Sequence, residues 1–310
     1  MPFLKAFGSY LPSRVVSNEE IGKLVGSSAE WILNVSGIEE RRFAADGETV
    51  ADMAAEAARD CLAGAGLAAP DLGMLLVASG SSERRFPGPA AGLAHRLNLD
   101  GVPAVDLPMA SAGSLFGMAL AARLAQAYGN ILVVAAEKMS SVVLKQPMNP
   151  ATAILFGDGA GACLISAGEG FARIVDSALY TDGSFTEDLK LELEGPLEMN
   201  GRSVILQASR KVPRAIGALL EKCGRAPGDA ACFLMHQANQ NLIVRIADAL
   251  GVAAEKFHSN IRRYGNTSSA SMLIAAAEWQ RQSGFEPGVP VVFAAFGAGF
   301  HWGALLAEGG

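Results

Sequence analysis

Cysteine is scarce and scattered: Cys61, Cys163, Cys223 and Cys232 form no CxxC pair, and no histidine stands at zinc-ligand spacing from them. A disulfide scaffold and a zinc-built domain are thereby excluded, and the four read as reduced thiols, in the core or at the surface of a cytoplasmic protein. Charge is sparse too, at 18% of residues. The 25 basic and 31 acidic residues leave a net charge of −6 with no long run of either sign, which speaks against a broad nucleic-acid footprint. No apolar run reaches the roughly 18 uncharged residues of a membrane span, and the N-terminus lacks the basic-then-apolar pattern of a signal peptide. A soluble, non-exported chain is expected, with small molecules or proteins as partners. Apolar residues, by contrast, make up 50% of the 310 positions, and there are 35 glycines and 14 prolines. Such a chain can bury a large core as one big α/β domain or as two similar ones.

Helical periodicity is clearest in 49–66, 111–128, 207–223, 240–250 and 269–282. Short β-rich runs occur at 73–78, 104–107, 130–135, 231–235 and 289–294. Alternating strands and helices predict an α/β fold with mostly parallel strands. The order repeats: the helix at Thr49 pairs with that at Gln207, the strand at Gly73 with that at Cys232, the helix at Ser111 with that at Ser269, and the strand at Asn130 with that at Val289. Each offset is roughly 160 residues, the size of one α/β domain. Two similar halves, 1–168 and 169–310, are expected to meet at the irregular stretch 167–170.

The segment Val105-Asp106-Leu107-Pro108-Met109-Ala110-Ser111-Ala112-Gly113-Ser114 passes from a buried strand into an apolar helix. Free N–H groups at a helix start favour an anion or a nucleophile, so Ser111 reads either as an N-cap or as a nucleophile. His236-Gln237-Ala238-Asn239 follows a strand directly, at the edge where open α/β sheets present functional residues. Of the four histidines, His236 is the best placed for catalysis, whereas His95 and His258 read as surface or packing residues. Tyr264-Gly265-Asn266-Thr267-Ser268-Ser269 opens a further apolar helix. Gly297-Ala298-Gly299-Phe300-His301-Trp302-Gly303 is a glycine-rich turn whose N–H groups could approach a substrate oxygen.

Together these segments resemble the β-ketoacyl-acyl-carrier-protein synthase III group of the thiolase superfamily, over nearly the whole chain. Glu30-Trp31-Ile32, Ser36-Gly37-Ile38-Glu39-Glu40-Arg41 and Phe156-Gly157-Asp158-Gly159-Ala160-Gly161-Ala162 join the three motifs above in the family's order. The resemblance implies a thiolase-like duplicated α/β fold, layered α-β-α-β-α with two sheets around buried helices, and a homodimer. It implies an acyltransferase that takes an acyl group from a thioester and joins or moves it, usually by decarboxylative condensation, in fatty-acid or polyketide-type biosynthesis. His236 and Asn266 match two catalytic positions, and the backbone N–H groups of Ser111 and Ala298 the oxyanion site. Trp31, Phe86 of the partner subunit, Leu115 and Phe300 match the path of the substrate. No cofactor or metal is implied; acyl-CoA or an acyl-carrier protein enters as substrate through a tunnel near Trp31.

The family's nucleophile is a cysteine where this chain has Ser111, and Ser114 follows where an aromatic or bulky residue is usual. A serine does not ionise through a helix dipole worth about 1 kcal/mol and needs His236 as a general base. Three accounts stand open: a native serine forming an oxygen ester, an engineered cysteine-to-serine change, and a non-catalytic partner subunit. Val35, Pro150 and Asn241 occupy positions where arginines that clamp coenzyme A are common. A carrier-bound donor with a short or medium acyl chain is therefore expected, and Arg210, Lys211 and Arg214 could meet an acidic carrier protein.

Overall fold

The computed structural model of the protein describes residues 1–192 and 195–310. In chain order the strands are β1 (Phe3–Tyr10), β2 (Arg14–Ser17), β3 (Glu40–Phe43), β4 (Met74–Ala78), β5 (Ala104–Leu107), β6 (Asn130–Lys138), β7 (Asp158–Ser166), β8 (Ala172–Thr181), β9 (Leu189–Leu191), β10 (Leu197–Met199), β11 (Cys232–Met235), β12 (Pro290–Gly297) and β13 (His301–Gly309). The helices are α1 (Asn18–Val25), α2 (Ala29–Ser36), α3 (Val50–Ala65), α4 (Pro89–Arg96), α5 (Gly113–Tyr128), α6 (Ser140–Val143), α7 (Pro150–Ala153), α8 (Gly201–Lys222), α9 (Gln240–Leu250), α10 (Ile261–Tyr264) and α11 (Ser271–Gln282).

Local chemistry explains several boundaries. Thr49 and Asp52 form a reciprocal capping box at the start of α3, and Gly66, with φ 64°, ends it. Asn239 caps α9, which Gly251 ends in the same left-handed conformation. Helix α8 begins six residues before the expected Gln207. The Asn200 side chain caps it by accepting the N–H of Ser203, and Val204 of the added turn is buried.

Nine strands form one sheet in the order β11-β12-β13-β8-β1-β7-β6-β4-β5. The expectation of mostly parallel strands is corrected: β4–β5, β4–β6 and β11–β12 are parallel, and the other five pairings are antiparallel. Strands β1, β7, β8 and β13, absent from the sequence reading, supply those antiparallel contacts. Of these, β7 is buried at every position and so lacks the alternation of a half-exposed strand, while the polar residues of β8 break any apolar run. The two expected sheets are also joined, by a seam of only two residue pairs, Phe3–Arg173 and Leu4–Ala172. The segment 167–170 is the turn between β7 and β8.

The seam lets the sheet fold over a central helix pair. Leu115 and Met118 of α5 and Leu273 of α11 share one core with Leu76, Val133 and Cys163 from one half-sheet and Leu234, Phe293 and Leu305 from the other. A second core lies between the first half-sheet and α3 and α4, and a third between the second half-sheet and α8 and α9. The order of layers is thus α-β-α-β-α. At the head of α5, Gly113 is required: a Cβ there would stand 2.7 Å from the Cβ of Ala78 on β4. Cys61, Cys163 and Cys232 are buried free thiols and Cys223 is half-buried. Among the described residues no helix is long and apolar enough to cross a membrane.

Candidate active site

Strand β5 ends at Leu107, and the chain reaches α5 through Ser111, whose φ of 64° is left-handed. Ser111 does not cap the helix: Ala112 stands at the N-cap, and no side chain caps α5. A non-glycine residue held in this region costs about 1–3 kcal/mol and marks a position fixed by its surroundings. The surroundings are tight. A Cβ on Gly297, at the end of β12, would lie 2.2 Å from the Ala110 carbonyl oxygen and 3.0 Å from the Ser111 Cβ. Only glycine lets that turn pass behind Ser111.

Opposite Ser111 stands Ser268, also left-handed at φ 47°. Its Oγ accepts the backbone N–H of Ser111 at 3.0 Å and lies 3.5 Å from the Ser111 Oγ. The amide expected to serve as an oxyanion donor is thus held by a hydroxyl in the free protein. The N–H of Ser268 donates to Asn266 Oδ1 at 2.8 Å. This fixes the Asn266 amide with its NH2 group as the remaining donor. Backbone bonds of 2.9 Å to the Leu155 carbonyl and 3.1 Å from the Gly157 N–H pin Asn266 against the Phe156-Gly157-Asp158 segment.

His236 follows β11 and is buried. Its Nδ1 is 2.7 Å from Ser271 Oγ, which also accepts the Gln237 N–H at 3.0 Å and donates to the Ser268 carbonyl at 2.9 Å. With the single hydroxyl proton of Ser271 spent on that carbonyl, Nδ1 must carry the ring proton. Nε2 is left as a free lone pair. Burial pulls the imidazole down from its ordinary 6.5 to about 3, so the ring is neutral near pH 7. Ser111, Asn266 and His236 are in this way joined through Ser268 and Ser271. The sequence reading gave Ser271 no role and Ser268 only a place in a motif, although both lie in the serine-rich entry to α11.

A cavity of about 50 Å³ sits on Ser111, lined by Met139, Phe156, Leu191, Leu197, Ser268 and Ala298 among others. Ala298 lines it. Leu115 and Phe300 do not: Leu115 is in the central core, and Phe300 stacks on Phe296 in the third core, 5.9 Å between ring centroids. Leu115 lies on the face of α5 that is turned to the central core, and Phe300, in the turn between β12 and β13, packs with Phe296 and Trp302. The aromatic and aliphatic wall comes instead from Met139, just after β6, from Phe156, and from the antiparallel strands β9 and β10.

Phe86 is 85% exposed, on the rim of a larger hollow of about 710 Å³ beside the edge strand β5. Trp31 and Val35, one turn apart on α2, are 49% and 37% exposed. Asn241 donates to the carbonyls of Asn34 and Val35 at 3.2 and 3.4 Å, closing the end of α2, and Pro150 starts α7. Arg210 and Arg214 are exposed on α8. Lys211 is not available to a partner: its Nζ bonds Asp182 at 2.7 Å and lies 4.4 and 4.5 Å from the Phe185 and Trp302 ring centroids. Arg210 and Arg214 face solvent, while Lys211 turns to an aromatic wall.

The family described as 3-Oxoacyl-[acyl-carrier-protein (ACP)] synthase III matches residues 105–183, and its C-terminal counterpart matches residues 220–308. The chain is 37% identical to a β-ketoacyl-[acyl-carrier-protein] synthase III of Gloeobacter violaceus, covering 98% of this chain and 97% of that protein. The crystal structure of the 3-oxoacyl-[acyl-carrier-protein] synthase III of Aquifex aeolicus superposes with a TM-score of 0.95 at 34% identity, over 99% of this chain and all of the other. The priming β-ketosynthase of the R1128 polyketide pathway gives a TM-score of 0.92 at 30% identity, over 100% and 96% of the two chains.

Proposed function

Because the chain belongs to the β-ketoacyl-[acyl-carrier-protein] synthase III family, we propose that it is a condensing acyltransferase in which Ser111 carries the acyl group as an oxygen ester. One observation carries this reading: a strained, left-handed serine at the head of a buried helix, at the floor of a cavity and linked through Ser268 to Asn266 and His236.

In the first step Ser111 Oγ attacks the thioester carbonyl carbon and its proton passes to Nε2 of His236, the one ring nitrogen with a free lone pair. The developing oxyanion draws the Ser111 N–H away from Ser268 Oγ and takes the N–H of Ala298 as second donor. Collapse breaks the carbon–sulfur bond, and the leaving thiolate takes the proton back from His236. In the second step the NH2 of Asn266 donates to the carbonyl of the acceptor thioester, which loses its carboxylate as CO2; the resulting carbanion attacks the Ser111 ester carbon, and the Ser111 alkoxide leaves and takes up a proton from solvent. An oxygen ester is a poorer acyl donor than a thioester, which favours acyl transfer or starter-unit selection over rapid condensation.

The cavity of about 50 Å³ favours a short acyl chain. Donor preference falls on a carrier-bound thioester, since Val35, Pro150 and Asn241 offer no guanidinium beside Trp31. Two copies pair through the β5 edge, with Phe86 of each covered by the other, because a bare edge strand beside an 85% exposed phenylalanine needs a cover. The setting is cytoplasmic, with no cofactor. The test is intact-mass spectrometry after incubation with the same acyl group on coenzyme A and on carrier protein. A mass gain localised to Ser111, faster from the carrier, is expected; no adduct with any donor overturns the reading.

A further inference from the structure

Behind the site lies a carboxylate that the reaction above does not use. Glu137, near the end of β6, is fully buried, and it is the one acidic residue in the run 130–139. Its Oε2 accepts from Ser81 Oγ at 2.5 Å, the Gly80 N–H at 3.0 Å and Ser79 Oγ at 3.3 Å. Its Oε1 accepts from Ser269 Oγ at 2.6 Å and the Ser269 N–H at 3.3 Å. Burial alone pushes the carboxyl upward, and these hydroxyls and amides oppose that shift. A carboxyl group with both oxygens filled by donors from two separate loops is a fastener, and removing it would orphan several buried donors.

The two loops it fastens are those that flank Ser111. Gly80 lines the cavity on Ser111 and also the larger hollow next to Phe86. Ser269 follows Ser268, whose left-handed backbone aims its Oγ at the Ser111 amide. Ser269 packs in turn against the head of α5: a Cβ on Gly113 would lie 3.6 Å from its Cβ. The next residue, Lys138, ties its own N–H to Ser81 Oγ at 2.8 Å, which pins the first loop from the same strand.

We infer that Glu137 is a positioning residue for Ser111, holding the Ser79–Ser81 loop and the Ser268–Ser269 turn at the spacing that keeps Ser268 on the nucleophile's amide. The inference rests on the reading of Ser111 as the acylated residue for its activity readout, and on geometry alone for its second readout. Glu137→Gln keeps the shape but has one acceptor oxygen in place of two, so one loop is released. Single-turnover acylation should fall about 10- to 100-fold, as misplacement on the order of an ångström does, with KM within about threefold. Glu137→Asp, which keeps both acceptors, should recover part of the loss.

The second readout uses Ser111→Cys as a reporter thiol. Its alkylation rate by iodoacetamide should change by about fivefold or more when Glu137→Gln is added, since both loops flank the thiol. If the parent protein never acylates at Ser111, the proposed function fails while the alkylation comparison still judges Glu137. Should Glu137→Gln not fold, Ser81→Ala and Ser269→Ala, each deleting one donor, take its place in both assays. Unchanged acylation and alkylation rates in Glu137→Gln, or in both serine variants, would overturn the inference.

Discussion

The two central helices, α5 and α11, are counterparts in the repeated halves, and each is entered through a serine with left-handed backbone. Their uses differ. Ser111, two residues ahead of α5, has its hydroxyl at the floor of the cavity, with Ser268 as its polar neighbour at 3.5 Å. The entry to α11 is spent on internal bonds instead: Ser268 on the Ser111 amide, Ser269 on Glu137, and Ser271 on His236 and the Ser268 carbonyl. One serine lines the cavity, and the other's neighbourhood holds it in place. A duplicated fold can divide labour in this way because the two helix heads meet at the same place between the half-sheets, so a group freed on one side can be held from the other.

The sharpest way to break the comparison is to exchange the two serines' fates. Ser111→Ala should abolish the acyl adduct and reduce turnover about a thousandfold or more. Ser268→Ala should leave an adduct that still forms, detectable by the same intact-mass assay. Equal loss in both would mean that the two serines act as one unit. Next in size, His236→Ala should cost about 10²- to 10⁴-fold in acylation, the range of a general base, measured in single-turnover experiments.

Stability offers a comparison between the helices themselves. Leu115→Ala on α5 and Leu273→Ala on α11 empty the same core and should each cost about 2–5 kcal/mol in denaturant unfolding. A much smaller cost for one would show that its side of the central layer can collapse.

A comparison of another kind lies in the pH dependence of stability. The unfolded chain's histidine takes up its proton near 6.5, whereas in the folded protein burial holds His236 at about 3. As pH falls below about 6.5 the unfolded state therefore binds the proton first, and the folded state loses stability progressively until about pH 3. Thermal unfolding between pH 7 and pH 4 should show this loss, and His236→Gln should flatten that part of the curve. A wild-type slope unchanged in the variant would contradict the neutral, buried imidazole.

Several features depend on neighbouring residues alone and were readable along the chain. The capping box of Thr49 and Asp52, the left-handed ends at Gly66 and Gly251, and the parallel core strands announce themselves by short-range pattern, because capping and periodicity are local. So was the order of motifs that places Ser111, His236 and Asn266 in one family. Long-range partnership was not. The antiparallel strand β7 is buried at every position and carries no alternation to betray it, and whether Leu115 and Phe300 reach a cavity depends on how the layers close. That Ser268 holds the Ser111 amide, that Ser271 fixes the tautomer of His236, and that Glu137 joins residues 56 to 132 positions away are facts of tertiary contact. A serine or glutamate in a sequence offers donors and acceptors to any partner, and only the folded chain, by burying them together, decides which partner each one has.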